Sequence, residues 1–328
     1  TDAAVTLRRI RQQRDVNLRE RGCRTLLRTC VVLTLRDDAS TDDNSQYGYK
    51  PSEAIAILFV TLYGISTILH IGQATYYRTW WLLPTAALCG IGEVLGWSGR
   101  LWSSISLFAQ TPFLMQISTT IIAPTPLLAA SFMIVARVIQ QLGTSYSRLT
   151  PKWYTIIFLP CDIIALVIQA IGGGMASSAD TLSGANVGAH VMLGGIVFQF
   201  VVIILFSALT VDFVHRYLRD RPVRVESTAR GALTSRLKIM LAALAFSTIT
   251  LFIRSVYRII ELSGGWNGRI IHTEVYFNVL DGGMVVLAMF TLNFAHPGLL
   301  LRQQAPAKGL VEFASDSFPK ESSTRGVF

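Results

Sequence analysis

The sequence predicts an all-α integral membrane protein, a bundle of seven transmembrane helices with its amino terminus outside and its carboxyl terminus in the cytosol. Three observations carry this expectation. The 328-residue chain has a mean hydropathy of +0.46 and only 15% charged residues, against about 25% in an ordinary soluble domain. Seven apolar segments follow one another through short connections, each near the ~20 residues that cross a bilayer core as a helix. Basic residues are divided unequally between the two sets of connections, and basic loops resist translocation.

Taken in order, residues 1–52 are expected to form a polar, disordered tail, basic and then acidic. It holds nine arginines between Arg8 and Arg36, and its longest apolar run, residues 30–35, is too short for a signal-peptide core. Pro51 is placed to open the first helix. The seven-helix domain is expected over residues 53–298, with segments near 54–71, 80–99, 113–139, 154–171, 188–213, 237–262 and 274–295. The third segment contains Pro124 and Pro126, which free backbone carbonyls and predict a kink that can serve as a hinge. Gly172 to Gly174 are expected to close the fourth helix in a tight turn, while Gly188, Gly194 and Gly195 suit close packing of the fifth. Pro297 and Gly298 end the seventh, and residues 299–328 are expected to be a cytosolic tail.

With the amino terminus outside, the inner side collects Arg78, Arg148, Lys152, six arginines between positions 214 and 236, Arg302 and Lys308, while the outer side holds Arg36, Lys50, Arg100 and Arg269. That asymmetry accounts for much of the +9 net charge as membrane orientation, so no nucleic-acid partner is expected. The four cysteines, Cys23, Cys30, Cys89 and Cys161, give neither a disulfide framework nor a zinc spacing.

Helix direction and a rise of about 1.5 Å per residue put Glu93 about 20 Å into the second helix and bring several other polar groups to the outer half. Glu93 and Arg100, Asp162 and Gln169, Arg254 and Glu261, and Glu274 and Asp281 are each seven residues apart, with Arg258 and Asn278 between members of their pairs. Seven residues is about two turns, so each set lies on one helical face. Lipid does not tolerate such stripes, which therefore face the bundle interior or a polar cavity. Gln199, four residues after Gly195, is a further contributor. Five acids (Glu93, Asp162, Glu261, Glu274, Asp281) stand against three arginines (Arg100, Arg254, Arg258), an excess of two negative charges, so some carboxyl groups are expected to carry a proton or meet a cation.

In its residues the chain resembles the fungal RTA-like proteins, the lipid-translocating exporter family. The resemblance rests on Tyr49-x-Pro51-Ser52, Glu93-x-x-Gly96-x-x-x-Arg100, Ala123-Pro124 with Ala129-Ala130 and Arg137, Asp162 with Gln169 and Gly172-Gly173-Gly174, Gly195 with Gln199, Arg254-Ser255-x-Tyr257-Arg258-x-x-Glu261, Glu274 with Asp281, and His296-Pro297-Gly298. Each motif is weak alone, and their order makes them specific. Trp97 and Phe132 stand where members often carry tyrosine, and Ala136 replaces a common glycine. The resemblance implies a fungal plasma-membrane protein that moves lipid-like molecules, sphingoid bases among them, and is linked to stress resistance.

Three functions remain open on the sequence. The first is ATP-independent translocation or export of amphipathic lipids, with membrane lipids or amphipathic small molecules as partners, no cofactor and no enzymatic step, since no Walker-type loop is present. The second is a seven-helix receptor or sensor whose loop 214–236 recruits a cytosolic partner. The third and least supported is a zinc-dependent lipid amidase using His190, His272 and Glu274, which falls short of a full ligand set.

Overall fold

The structure, a computed structural model, describes residues 47–224, 230–265 and 268–301. The basic arm before residue 47, the middle of the loop 214–236 and the tail after residue 301 lie outside the described residues. Among the described residues the chain is all helical. Helix α1 spans Glu53–Tyr76, and a 3-10 turn at Trp80–Leu82 and a π turn at Leu83–Ala87 lead into α2, Leu88–Ile105. Then come α3 (Gln110–Ile122), α4 (Thr125–Leu142), α5 (Pro151–Ser177), α6 (Leu182–Leu218) and α7 (Ser235–Ser263). The last passage comprises α8 (Glu274–Tyr276), a π-helical stretch Phe277–Gly283 and α9 (Met284–Phe294), followed by the short α10 (Pro297–Leu300).

The helices are inside out relative to a soluble bundle. Leu58, Ile68, Ile163, Val167, Leu205 and Ile249 face outward, while Glu93, Asp162, Arg258, Glu261 and Asp281 are buried. That is the distribution of an integral membrane protein, whose polar groups must be hidden from lipid. Six helical stretches among the described residues are long and apolar enough to cross a membrane: Glu53–Tyr76, Gln110–Leu142, Pro151–Ser177, Leu182–Leu218, Ser235–Ser263 and Glu274–Leu300. The run from Trp80 to Ile105 coincides with the expected second segment but falls outside that set. Its helix α2 is only 18 residues long and carries Glu93, Arg100 and four glycines, so its hydropathy is low.

Those glycines explain its place between neighbours. A Cβ at Gly92 would meet Ala123 Cβ at 2.7 Å, one at Gly96 would meet Thr120 Cγ2 at 2.6 Å, and one at Gly99 would meet the Pro112 carbonyl at 2.9 Å. Successive glycines thus let α2 lie almost backbone to backbone on α3. On another side Gly90 approaches Thr67 of α1.

The third segment breaks where its prolines predict. Helix α3 ends at Ile122, Ala123 and Pro124 form a turn, and Pro126 sits in the first turn of α4, where its missing N–H costs no bond. The fourth segment differs from expectation. Gly172 to Gly174 form no turn; α5 continues to Ser177, and Gly172 and Gly188 are the contact between α5 and α6. A Cβ at Gly172 would lie 2.4 Å from the Met192 nitrogen and one at Gly188 would lie 2.3 Å from the Ala176 nitrogen. Gly195 packs similarly on Gln169 and Ala165, whereas Gly194 faces open space.

Candidate functional site

Arg258 of α7 is 1% exposed and fully engaged. Its Nε and Nη2 donate to the two oxygens of Asp281 at 2.8 and 2.7 Å, a bidentate pair, its Nη1 donates to Glu261 Oε2 at 2.8 Å, and Nη2 also reaches Thr120 Oγ1 at 2.9 Å. One turn earlier Arg254 Nε lies 2.9 Å from Asp281 Oδ1, and its Nη2 donates to the Thr120 carbonyl. Tyr257 donates to the second Glu261 oxygen at 2.9 Å. The i, i+3 and i+4 spacing along α7 puts these groups on one face. The π-helical stretch holds Asp281 opposite them, and the Gly282 carbonyl beside it accepts from Tyr63 OH at 2.8 Å. Single-turn π segments of this kind recur at functional sites.

A second group sits toward the start of α1. Arg100 Nη2 donates to Glu274 Oε1 at 3.1 Å and to Tyr49 OH at 2.9 Å. Its guanidinium carbon stands 4.7 Å from the Phe277 ring centre, and that of Arg258 stands 5.2 Å from the same ring. One aromatic ring therefore links the two groups. Tyr47 OH donates to Gln116 Oε1 at 2.6 Å, and the Ser52 amide donates to Glu274 Oε1 at 2.9 Å. Gly48, with φ +67°, bends the chain so closely over the His272 ring that a Cβ would meet it at 2.5 Å. Residues 47–52 are thus a packed strap across this end of the bundle, where the sequence had predicted the end of a disordered tail. Burial pushes the Tyr47 phenol from 10.0 up to about 12, and burial also raises that of Tyr49.

The expected stripes do not all meet. Gln169 Nε2 donates to Gln199 Oε1 at 3.0 Å, and Gln199 Nε2 donates to Thr125 Oγ1 at 3.1 Å, tying α5 and α6 to the first residue after the proline break. Among the described residues Asp162 is buried without a hydrogen-bond partner on either oxygen, and no charged neighbour acts on it. It is separate from the arginines because helix direction gives depth but not the neighbour that a stripe faces. Glu93 is also fully buried; the Trp97 indole N–H lies beside it but short of hydrogen-bond geometry, no ion pair reaches it among the described residues, and it lies within electrostatic reach of Asp281, Arg254 and Arg258. Asn278 is buried with an unpartnered amide oxygen.

The charge arithmetic resolves by residue. Arg100, Arg254 and Arg258 are matched by Glu274, Asp281 and Glu261. The two surplus acids are Glu93 and Asp162. The groups around Arg258 are packed side chain on side chain, with Arg258, Glu261 and Asp281 each at most 3% exposed.

Outside the stripes, His272 Nδ1 is 2.6 Å from the Tyr47 carbonyl, Glu274 is taken by Arg100 and Ser52, and His190 is exposed. Among the described residues no three histidines, cysteines or acids gather where they could hold a metal ion. In the loop 214–236, Arg216 pairs with Asp212 at 2.9 Å, Arg230 pairs with Asp220 at 3.2 Å, and Arg224 donates to the Arg148 carbonyl, so half of its arginines fold back on the bundle. Arg219, Arg221 and Arg236 are exposed.

The sequence reading missed Tyr47, Gln116, Thr120 and Tyr257 as members of the network. Gln116 and Thr120 lie one turn apart in an apolar helix, a signal that a search restricted to charged residues passes over.

A family model described as RTA1 like protein matches residues 86–304. The sphingoid long-chain base transporter RSB1 of Saccharomyces cerevisiae is 30% identical over 295 residues, covering 81% of this chain and 77% of the relative. Protoporphyrin uptake protein 1 of the same organism is 25% identical, covering 75% of this chain and 90% of its own, and protein RTA1 is 26% identical, covering 76% and 84%. No solved structure matches the chain.

Proposed function

This chain belongs to the RTA1-like family, and from that premise we propose that it translocates amphipathic lipids with a cationic headgroup, of the sphingoid-base kind, across a fungal plasma membrane without ATP. In this reading residues 53–298 cross the membrane seven times, with the strap outside and residues 299–328 in the cytosol. The run from Trp80 to Ile105 is the added span, turning Leu88, Ile91, Leu95 and Ile105 outward while Glu93 and Arg100 face its neighbours.

The observation that carries the proposal is the pair of surplus carboxyl groups. An ionised carboxylate buried without a partner costs several kcal/mol, so it takes a proton or a cation. A protonated amine is such a cation. Glu93 meets the headgroup beside Asp281, where the arriving ammonium competes with Arg254 for carboxylate oxygen, and Asp162 provides a second station in another part of the bundle. The arginines hold the remaining acids in position while the apolar chain stays in lipid. The break at Pro124 and Pro126 lets α2 and α3 shift against α4 as a hinge. The relative named as a sphingoid long-chain base transporter supports the headgroup class.

The test is flux of a labelled sphingoid base in liposomes whose only protein is this chain. Movement between leaflets above that of empty liposomes is expected. Saturable binding with no movement would replace translocation by the receptor reading.

A further inference from the structure

At the end of the bundle opposite the strap, the turn between α1 and α2, the inner part of α4 and the start of α10 enclose a cavity of about 430 Å³. Its size is that of a small-molecule site. Arg137 and Arg78 line it together with Tyr77, Thr79 and Trp81, and among the described residues no acidic one does. The Arg137 guanidinium carbon rests 3.8 Å from the Trp81 ring centre, which fixes its plane, and its Nη1 is buried without a hydrogen-bond partner among the described residues. Thr79 Oγ1 is likewise buried and unpartnered. Arg78 has φ 54°, a left-handed backbone at a helix end where glycine is the usual residue. Strain retained at such a position points to a use for its side chain.

We propose that this cavity binds the phosphate of an anionic amphiphile, a phosphate-monoester lipid headgroup entering from the leaflet on that side. Arg137 supplies the buried fork, Thr79 a hydroxyl donor, and Arg78 the charge at the mouth; Trp81 and Tyr77 cover the carbons next to the phosphate. Arginine suits this task because its planar donors match phosphate oxygens. The site lies at the start of the second segment, about 20 Å of helix from Glu93, and its charge preference is opposite. It therefore does not bind the proposed amine headgroup.

The experiment measures binding of phosphatidic acid to the purified full chain in nanodiscs of phosphatidylcholine, with Arg137→Gln, Arg78→Gln and Arg221→Gln as variants. Arg221 is an exposed loop residue outside the cavity, so its variant controls for general charge attraction. Arg137→Gln is expected to bind about tenfold more weakly than the parent, as fits loss of a charge-assisted hydrogen bond, Arg78→Gln less so, and Arg221→Gln as the parent does. If Arg137→Gln fails to fold, exposed Arg78→Gln keeps the comparison. Inorganic phosphate that competes at the same concentration as the lipid assigns the site to free phosphate and supports the phosphate chemistry; lipid binding that phosphate leaves unchanged assigns it to the headgroup. Equal losses in all three variants, or no preference for phosphatidic acid over phosphatidylcholine, would overturn the proposal.

Discussion

The face between α7 and the π-helical stretch, and the α5–α6 pair, both bury polar residues in an apolar bundle, yet they hold together by different physics. On the first, Arg254, Arg258, Glu261 and Asp281 neutralise each other through bonds that mostly share partners. On the second, Gly172, Gly188 and Gly195 bring backbones into contact, and the one buried acid there, Asp162, has no hydrogen-bond partner among the described residues. Where a buried charge is paired it acts as structure; where it is left unpaired it is a candidate for chemistry. Glu93 tests that rule most sharply, because it borders the paired cluster without being bonded into it.

The largest expected effect is on the paired side. Asp281→Asn leaves two buried guanidinium groups short of an anion, and such losses cost about 3–5 kcal/mol. A fall of that size in the unfolding free energy in detergent is expected, and a variant as stable as the parent would mean that the pairing contributes little. On the glycine side, Gly188→Val forces a side chain against backbone at 2.3 Å; overpacking of this kind costs about 1–3 kcal/mol. Cross-linking between α5 and α6 should report the separation, and unchanged cross-linking would refute the close contact.

The strap gives a smaller effect. Tyr49→Phe removes one hydroxyl from Arg100, for about 0.5–1.5 kcal/mol, seen as faster hydrogen exchange over residues 47–52 with the remainder unchanged. The same segment has an alkaline limit. Because burial raises the Tyr47 phenol from 10.0 to about 12, its contribution is complete below pH 10 and is lost as the pH rises through about 12. Tyr47→Phe should abolish that dependence in the strap, and a persistent transition would assign it to another group.

How far the sequence could foretell this comparison depends on the interaction. Hydropathy locates seven helical segments near their observed positions because burial in lipid leaves a long, continuous signal, and the proline break at Ala123–Pro124 is local. Arg254, Arg258, Glu261 and Asp281 were expected to come together, and ion pairs join them, since i, i+4 and i+7 spacing fixes the face on which the three α7 residues lie. Asp162 and Gln169 were expected with them and lie elsewhere, because spacing along one helix does not determine its rotation against the next. Gly172 read as a turn since glycine serves both turns and close contacts, and only the partner helix distinguishes them. The strap was invisible for a similar reason: Tyr47 is polar-flanked in sequence, and its burial depends on Gln116 and Ser103, 69 and 56 residues away.

The central claim is that unpaired buried carboxylates carry function while paired ones carry structure. Sphingoid-base flux and unfolding free energy measured together on Glu93→Gln in proteoliposomes test it most directly. Flux reduced at least about tenfold is expected, with stability close to that of the parent, since glutamine keeps the size of Glu93 and can still accept from the Trp97 indole N–H beside it. Parental flux in Glu93→Gln, or flux lost only in step with stability, would contradict it.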